Sequence, residues 1–344
     1  MAAPIAPPER SEPPRTLRLH LWWTMVLVLV ALGGAGLAVA ADRPGNPVQR
    51  PELTYRADAD AQPWIDDMAA DLDTVSTDAS DLATDGLNAL GSVAGLDRTT
   101  ASTGLAAGDQ AAAEIATLTS SLRDTETRAH ASIDHWRLGP QTANLFDQID
   151  IAIASAEDLN AAWTGLAATG HAVVSMLDGF DGHDQAVAAA AAAGRDSRWT
   201  DAVALLNGAA ADGLSIVGTA RDQLANGGGT VETLNDLLGR DQAYDTALLA
   251  LYQYMGGGGA QSGAQFDALK AAVDQAQAAL PADNGVLVVI VGESAGTPIA
   301  DQLLAMDKAH GIINDALEAV SDAKTGGQGT DQTPLETQAP TDAP

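Results

Sequence analysis

The sequence predicts an all-α protein: one N-terminal transmembrane helix, an antiparallel, coiled-coil-like bundle of about seven helices, and a disordered C-terminal tail. Three observations carry this. Leu21–Ala41 is an uncharged run of 21 residues. Downstream, apolar residues recur three and four positions apart, the period that places them on one face of a helix. The joints between these stretches are short and marked by Gly and Pro, which makes consecutive helices antiparallel neighbours.

In chain order, residues 1–20 are Pro-rich and without apolar period, and are expected to be disordered. The run 21–41 spans about 31 Å as a helix, the thickness of a bilayer's hydrocarbon core. Trp22 and Trp23 stand at one end, at headgroup level, behind Arg15, Arg18 and His20. Ala38-Val39-Ala40 offers a small-x-small cleavage site, but the apolar run exceeds the usual signal-peptide core, which favours an uncleaved signal anchor. Three Arg precede the run and three follow closely (Arg43, Arg50, Arg56). The proximity of Arg18 to the span and the export-like layout place the main body outside the membrane. Residues 42–63, with Pro44, Pro47, Pro51 and Pro63, read as an extended linker.

Two bundle lobes are expected, 64–180 and 181–322. The first helical seam runs Ile65, Met68, Leu72, Val75, Ala79, Leu82 and onward to Leu96, with Asp on the remaining positions. A second runs from Ile115 to Trp136 and stops at Gly139-Pro140. The third, Ile149 to Phe180, ends in an expected turn, Asp178-Gly-Phe-Asp-Gly-His-Asp184. A fourth covers Trp199–Leu224, and the glycines 227–229 break it. The fifth, capped by Thr230, has the seam Leu234, Leu237, Asp241, Tyr244, Leu248, Leu251, Met255. Ser262 and Gln265 have capping-box spacing and open a sixth helix. Thr297-Pro298 reads as the start of the last, with seam Ile299, Leu303, Met306, His310, Ile313, Leu317, Val320. Residues 323–344 lack apolar period.

Composition excludes several function classes. The formal net charge is −29, with 36 Asp against 3 Lys, so no basic surface exists to neutralise nucleic-acid phosphate. No cysteine is present, which removes disulfides, thiolate metal sites, thiol catalysis and a lipidated-cysteine anchor. Aromatic residues make up 4%, so contacts between helices are expected to be thin and Ala-lined.

Gly292-Glu293-Ser294-Ala295-Gly296 has the G-x-S-x-G spacing of a nucleophile elbow and follows the β-like run Val286–Val291. It resembles the GESAG of carboxylesterases in the α/β-hydrolase family, and that resemblance implies Ser294 as nucleophile. The resemblance covers about a dozen residues: there is no HGGG-type oxyanion loop, and downstream the acid and base reduce to His310 in a helical seam. A serine without a base is not activated. With no partner strand elsewhere, Val286–Val291 leans to helix. Asp178, Asp181, His183 and Asp184 could offer oxygen ligands to Ca²⁺, but not at EF-hand spacing. His130 and Asp134 are placed on one helix face, which His135 does not share. Zinc needs three or four converging ligands. Trp136, Trp163 and Trp199 occupy seam positions and read as core anchors.

The sequence therefore names no catalytic, cofactor-binding or metal-ligating residue. It points to a non-enzymatic interaction or structural protein of the cell envelope, single-pass, with an acidic extracytoplasmic domain. Its expected partners are the membrane through 21–41 and a second copy or another envelope protein. A ligand-sensing ectodomain, architecturally similar to the periplasmic helical bundles of bacterial receptors, is the alternative. A serine hydrolase at Ser294 is a third.

Overall fold

The computed structural model describes residues 51–282 and 285–327. The expected N-terminal tail, the anchor at 21–41, the linker up to residue 50 and the expected C-terminal tail beyond residue 327 lie outside the described residues; residues 323–327, expected in that tail, are helical. Within them the chain is helical throughout, with no strand. Seven helices follow one another: α1 Pro51–Ala94, α2 Arg98–Ser132, α3 Pro140–Arg195, α4 Trp199–Asn226, α5 Glu232–Gly256, α6 Ala264–Ala279 and α7 Gly285–Gly327. A 3₁₀ turn, His135–Arg137, links α2 to α3, and a π-helical turn, Leu206–Ala210, interrupts α4.

The organising element is α3, whose 56 residues extend about 84 Å. It buries a broad face along its whole length, from Leu145 and Phe146 through Leu159, Trp163, Leu166 and Met176 to Ala193, and leaves one stripe exposed through Asp147, Ala154, Ala161, Ala168 and Asp178. So wide a buried face needs neighbours on several sides, and α1, α2, α4 and α7 all pack on it. Three apolar clusters succeed each other along it. The first joins α1, α2, the N-terminal half of α3 and the end of α7 around Ile65, Leu72, Ile115, Ile149 and Ile313. The second joins the middle of α3 to α4, α5 and the start of α7 through Met176, Val217, Leu234 and Ile290. The third joins the end of α3 to α4 and α5 through Ala190, Leu206, Leu248 and Tyr252.

Residue pairings fix the directions. Asp109 meets Trp163 and His171, Arg123 meets Glu157, and His130 meets Asp150, so α2 runs opposite to α3. Ser76 meets His310 and Asp66 meets Lys324, so α7 runs opposite to α1. Small residues allow the closest approaches. A Cβ on Gly108 would lie 2.0 Å from the Trp163 ring, and one on Gly213 would lie 2.8 Å from both Gly179 O and His183 N. Here helix backbones and a large ring occupy the space a side chain would need.

Several boundaries differ from expectation. Helix α1 starts at Pro51 rather than after Pro63. Pro is well placed in a first turn, and Ala57 and Ala61 carry the buried seam back from Ile65. Pro63 deprives the Ala59 carbonyl of its donor, but Ala59 is exposed and solvent can serve it. Helix α2 begins at Arg98, capped by Asp97, whose Oδ1 accepts from Thr100 N at 3.1 Å. The turn expected at 178–184 does not form: α3 runs through Gly179–Gly182, where α4 packs. Val286–Val291 is helical, in line with the lack of a partner strand, but α7 continues through Thr297-Pro298 instead of starting there. Pro298 cannot donate to Ser294 O, while the neighbouring Glu293 O accepts from Thr230 N at 3.2 Å. That long-range bond and the packing of Ile290, Val291 and Ala295 hold the helix together across the proline. Thr230 itself caps nothing, and Gly263, at φ 104°, precedes α6 without a side-chain cap.

Candidate functional site

Because α7 is one helix, Ser294 and His310 are about 24 Å apart along it. Ser294 is fully buried, and its hydroxyl donates to Ile290 O at 2.7 Å, one turn back. The GESAG segment serves as a docking surface for the α4–α5 connection: Gly229 lies against the Ser294 carbonyl, and Thr233 donates to Glu293 Oε2 at 2.6 Å. This segment does not assemble a nucleophile with a base.

The acidic group of α3 divides in two. Asp178 and Asp181 face outward and share Arg98 of α2, at 3.0 and 3.2 Å. His183 points inward, its side chain 3% exposed. Its Nε2 is 3.0 Å from Asp245 Oδ2 on α5 and its Nδ1 is 3.3 Å from Asp184 Oδ1. Asp241, one turn before Asp245, is 8% exposed and lies in the same field. Burial disfavours a charged imidazole, but hydrogen bonds to Asp184 and Asp245 and the charge of Asp241 outweigh it, holding His183 up at about 9. Burial raises Asp241 to about 6, against the pull of His183. The second oxygen of Asp245, Oδ1, is buried without a hydrogen-bond partner among the described residues.

Asp245 also lines a groove of about 830 Å³ between α4 and α5. Its floor is Leu206, Leu214, Leu238 and Leu249; its walls carry Asn207, Ser215, Arg221, Asn235, Gln242 and Thr246. It is open beside Gly218 and Gly239, where a Cβ would meet nothing within 4 Å. The π-helical turn of α4 supplies Leu206 and Asn207 to it. Such turns displace side chains from the regular helical register and recur at functional positions. On the far side of the His183 cluster, Asp241 and Asp184 line a smaller cavity of about 200 Å³ with Phe180, Leu237 and Leu287. The groove can accept a ligand with a greasy face and hydrogen-bonding edges; it contains no nucleophile–base pair.

Of the remaining residues singled out from sequence, His130 and His135 come together and the others stand apart. His130 turns toward Glu126 and Asp150, and His135 stacks on it at 4.3 Å between ring centres. Asp134 has left the helix, since α2 ends at Ser132, and pairs with Arg137 at 3.2 Å. Trp163 is a core anchor as expected, 2% exposed, with its Nε1 donating to Asp109 at 3.0 Å. Trp199 packs at the edge of the third cluster. Trp136 does not belong to a seam: it is 68% exposed on the 3₁₀ turn with the Arg137 guanidinium over its ring. The helical period that placed it in a seam has ended before it.

Helices α4 and α7 are long and apolar enough to cross a membrane by length and composition, over Trp199–Asn226 and Gly285–Thr325. Of these apolar windows only 33% and 28% are buried, although both helices contribute to the clusters around α3. Comparison with known protein families, curated proteins and solved structures gives no match.

Proposed function

We propose that this chain is a non-enzymatic, membrane-tethered interaction protein of the cell envelope, recognising its partner at the α4–α5 groove. The groove carries the proposal: it is a cleft with leucines and polar side chains in its lining, among them Asp245, in an otherwise Ala- and Leu-packed bundle, and it lacks any reactive pair. The uncharged run 21–41 with its Trp pair supports a signal anchor, and the excess of acid keeps the body clear of anionic headgroups and nucleic acid. An extracytoplasmic body on a single-pass anchor is consistent with the Arg-bearing N-terminal flank and the absence of cysteine. A photo-crosslinking residue in place of Gly239, in the full chain in intact cells, tests this. A discrete envelope protein attached at 239, and not from Tyr55 on α1, is the expected result. Crosslinks of equal yield from both positions would refute it.

A second reading, a ligand-sensing ectodomain, is favoured by one observation: leucines and hydrogen-bonding side chains line the same groove beside the π-turn, which suits a small molecule with an apolar face and polar edges. It predicts no protein adduct from position 239 and a thermal shift with one metabolite, abolished by Gly239→Trp.

A further inference from the structure

The C-terminal turns of α2 bring Glu126 and His130, four residues apart, onto the face that meets Asp150 of α3. His130 Nε2 lies 3.4 Å from Asp150 Oδ2 and 3.9 Å from Glu126 Oε1, and one ligand atom of each residue falls within 4.8 Å of the others. Ligands held about 2.1 Å from a tetrahedral ion are about 3.4 Å apart, so these atoms already stand near the spacing of one face of a coordination shell.

Each ligand is oriented by something else. Glu126 Oε2 accepts from Arg123 at 2.9 Å, which leaves Oε1 for the shared space. The His130 ring is fixed by stacking on His135 and lies 6.0 Å from the Phe146 ring. Asp150 keeps its second oxygen buried with no hydrogen-bond partner among the described residues. Two carboxylates and one imidazole therefore converge with a lone pair to spare. The three side chains together bring a dication two negative charges.

We propose that Glu126, His130 and Asp150 form a binding site for a first-row divalent metal ion of the Zn²⁺ or Mn²⁺ class, clamping the end of α2 to α3. The imidazole sets the class: Ca²⁺ and Mg²⁺ take oxygen ligands, whereas an N-and-O set suits the transition ions. All three side chains are partly exposed, so water completes the shell.

Isothermal titration of the full chain in detergent micelles, free of any affinity tag, tests this with Zn²⁺, then Mn²⁺ and Ca²⁺. One saturable Zn²⁺ site is expected, weakened at least 10-fold by His130→Ala and by the isosteric Asp150→Asn, and unchanged by His171→Ala. Co²⁺ is expected to give ligand-field absorption that His130→Ala removes. The proposal fails if Zn²⁺ does not saturate at one equivalent, if both site variants bind as the parent does, or if Ca²⁺ binds as tightly as Zn²⁺. A groove that captures no partner leaves this site untouched, so the two proposals stand or fall separately.

Discussion

Identical Gly→Ala substitutions in three helices are predicted to have opposite effects on stability, because the space beside each glycine differs. Gly108 of α2 faces Trp163. A methyl group there would stand 2.0 Å from the ring, where ordinary contact is 3.4–4 Å, so one element must move by more than an ångström. The ring cannot yield easily, being 2% exposed and tied by Nε1 to Asp109. Overpacking of this severity costs about 3 kcal/mol. The better helix propensity of alanine returns about 1 kcal/mol. Gly108→Ala should therefore destabilise by about 2 kcal/mol. Gly182 and Gly311 lie inside α3 and α7 with nothing within 4 Å of a Cβ. There only the propensity acts, and alanine should stabilise by up to about 1 kcal/mol. For a chain of this size 1 kcal/mol corresponds to about 2–4 °C in Tm. Thermal denaturation followed by circular dichroism should show Gly108→Ala falling by about 4–8 °C while the other two rise by about 2 °C. A fall at Gly182 would refute the continuity of α3 through 178–184. A rise at Gly108 would refute its contact with Trp163.

Other consequences follow from single contacts. Ser197, joining α3 to α4, has φ 60°, a left-handed conformation that is strained for a residue with a Cβ and free for glycine. Ser197→Gly should stabilise by about 1 kcal/mol in urea unfolding. His183 is held above its ordinary 6.5, so the stability it contributes is complete below pH 6.5 and disappears as pH rises through about 9. Amide exchange in α5, corrected for its intrinsic pH dependence, should show protection falling across that window in the parent, and His183→Gln should flatten the slope. Ser294 should not react with a fluorophosphonate in the folded chain, because its hydroxyl is buried and bonded to Ile290 O; mass spectrometry showing a Ser294 adduct would overturn that.

The helices were legible because the three-four period extends over many turns: Ile65, Met68, Leu72 and Val75 are all buried as read. Their ends were less legible, since they depend on contacts distant in sequence. Pro298 carries every mark of a helix start, yet Thr230, 68 positions earlier, stabilises the turn that runs through it. The glycines at 179 and 182 suggest a turn, but Gly179 is there to let α4 approach. Part of the His183 cluster could have been found. Asp241 stands in a seam position between Leu237 and Tyr244, and a charge in a seam requires a buried partner. His183 follows Phe180 at the same three-residue step that runs through Leu177. Glu126 and Asp150 gave no such signal, because a metal-ligand triad split between two helices appears only when those helices pair. The groove was equally invisible, since it depends on a π-turn and on two glycines whose neighbours happen to stand apart.

The absence of cysteine allows one direct test of partner binding at the groove. Single substitutions Gly239→Cys, in the groove, and Gly182→Cys, on the exposed side of α3, would each be labelled with a membrane-impermeant maleimide. Labelling would be compared between intact cells and the purified full chain. The prediction is that Cys at 182 reacts at similar rates in both, while Cys at 239 reacts at least 10-fold more slowly in cells than when purified. Equal rates at 239 in the two settings would contradict an occupied groove, and no labelling of either position in intact cells would contradict an extracytoplasmic domain.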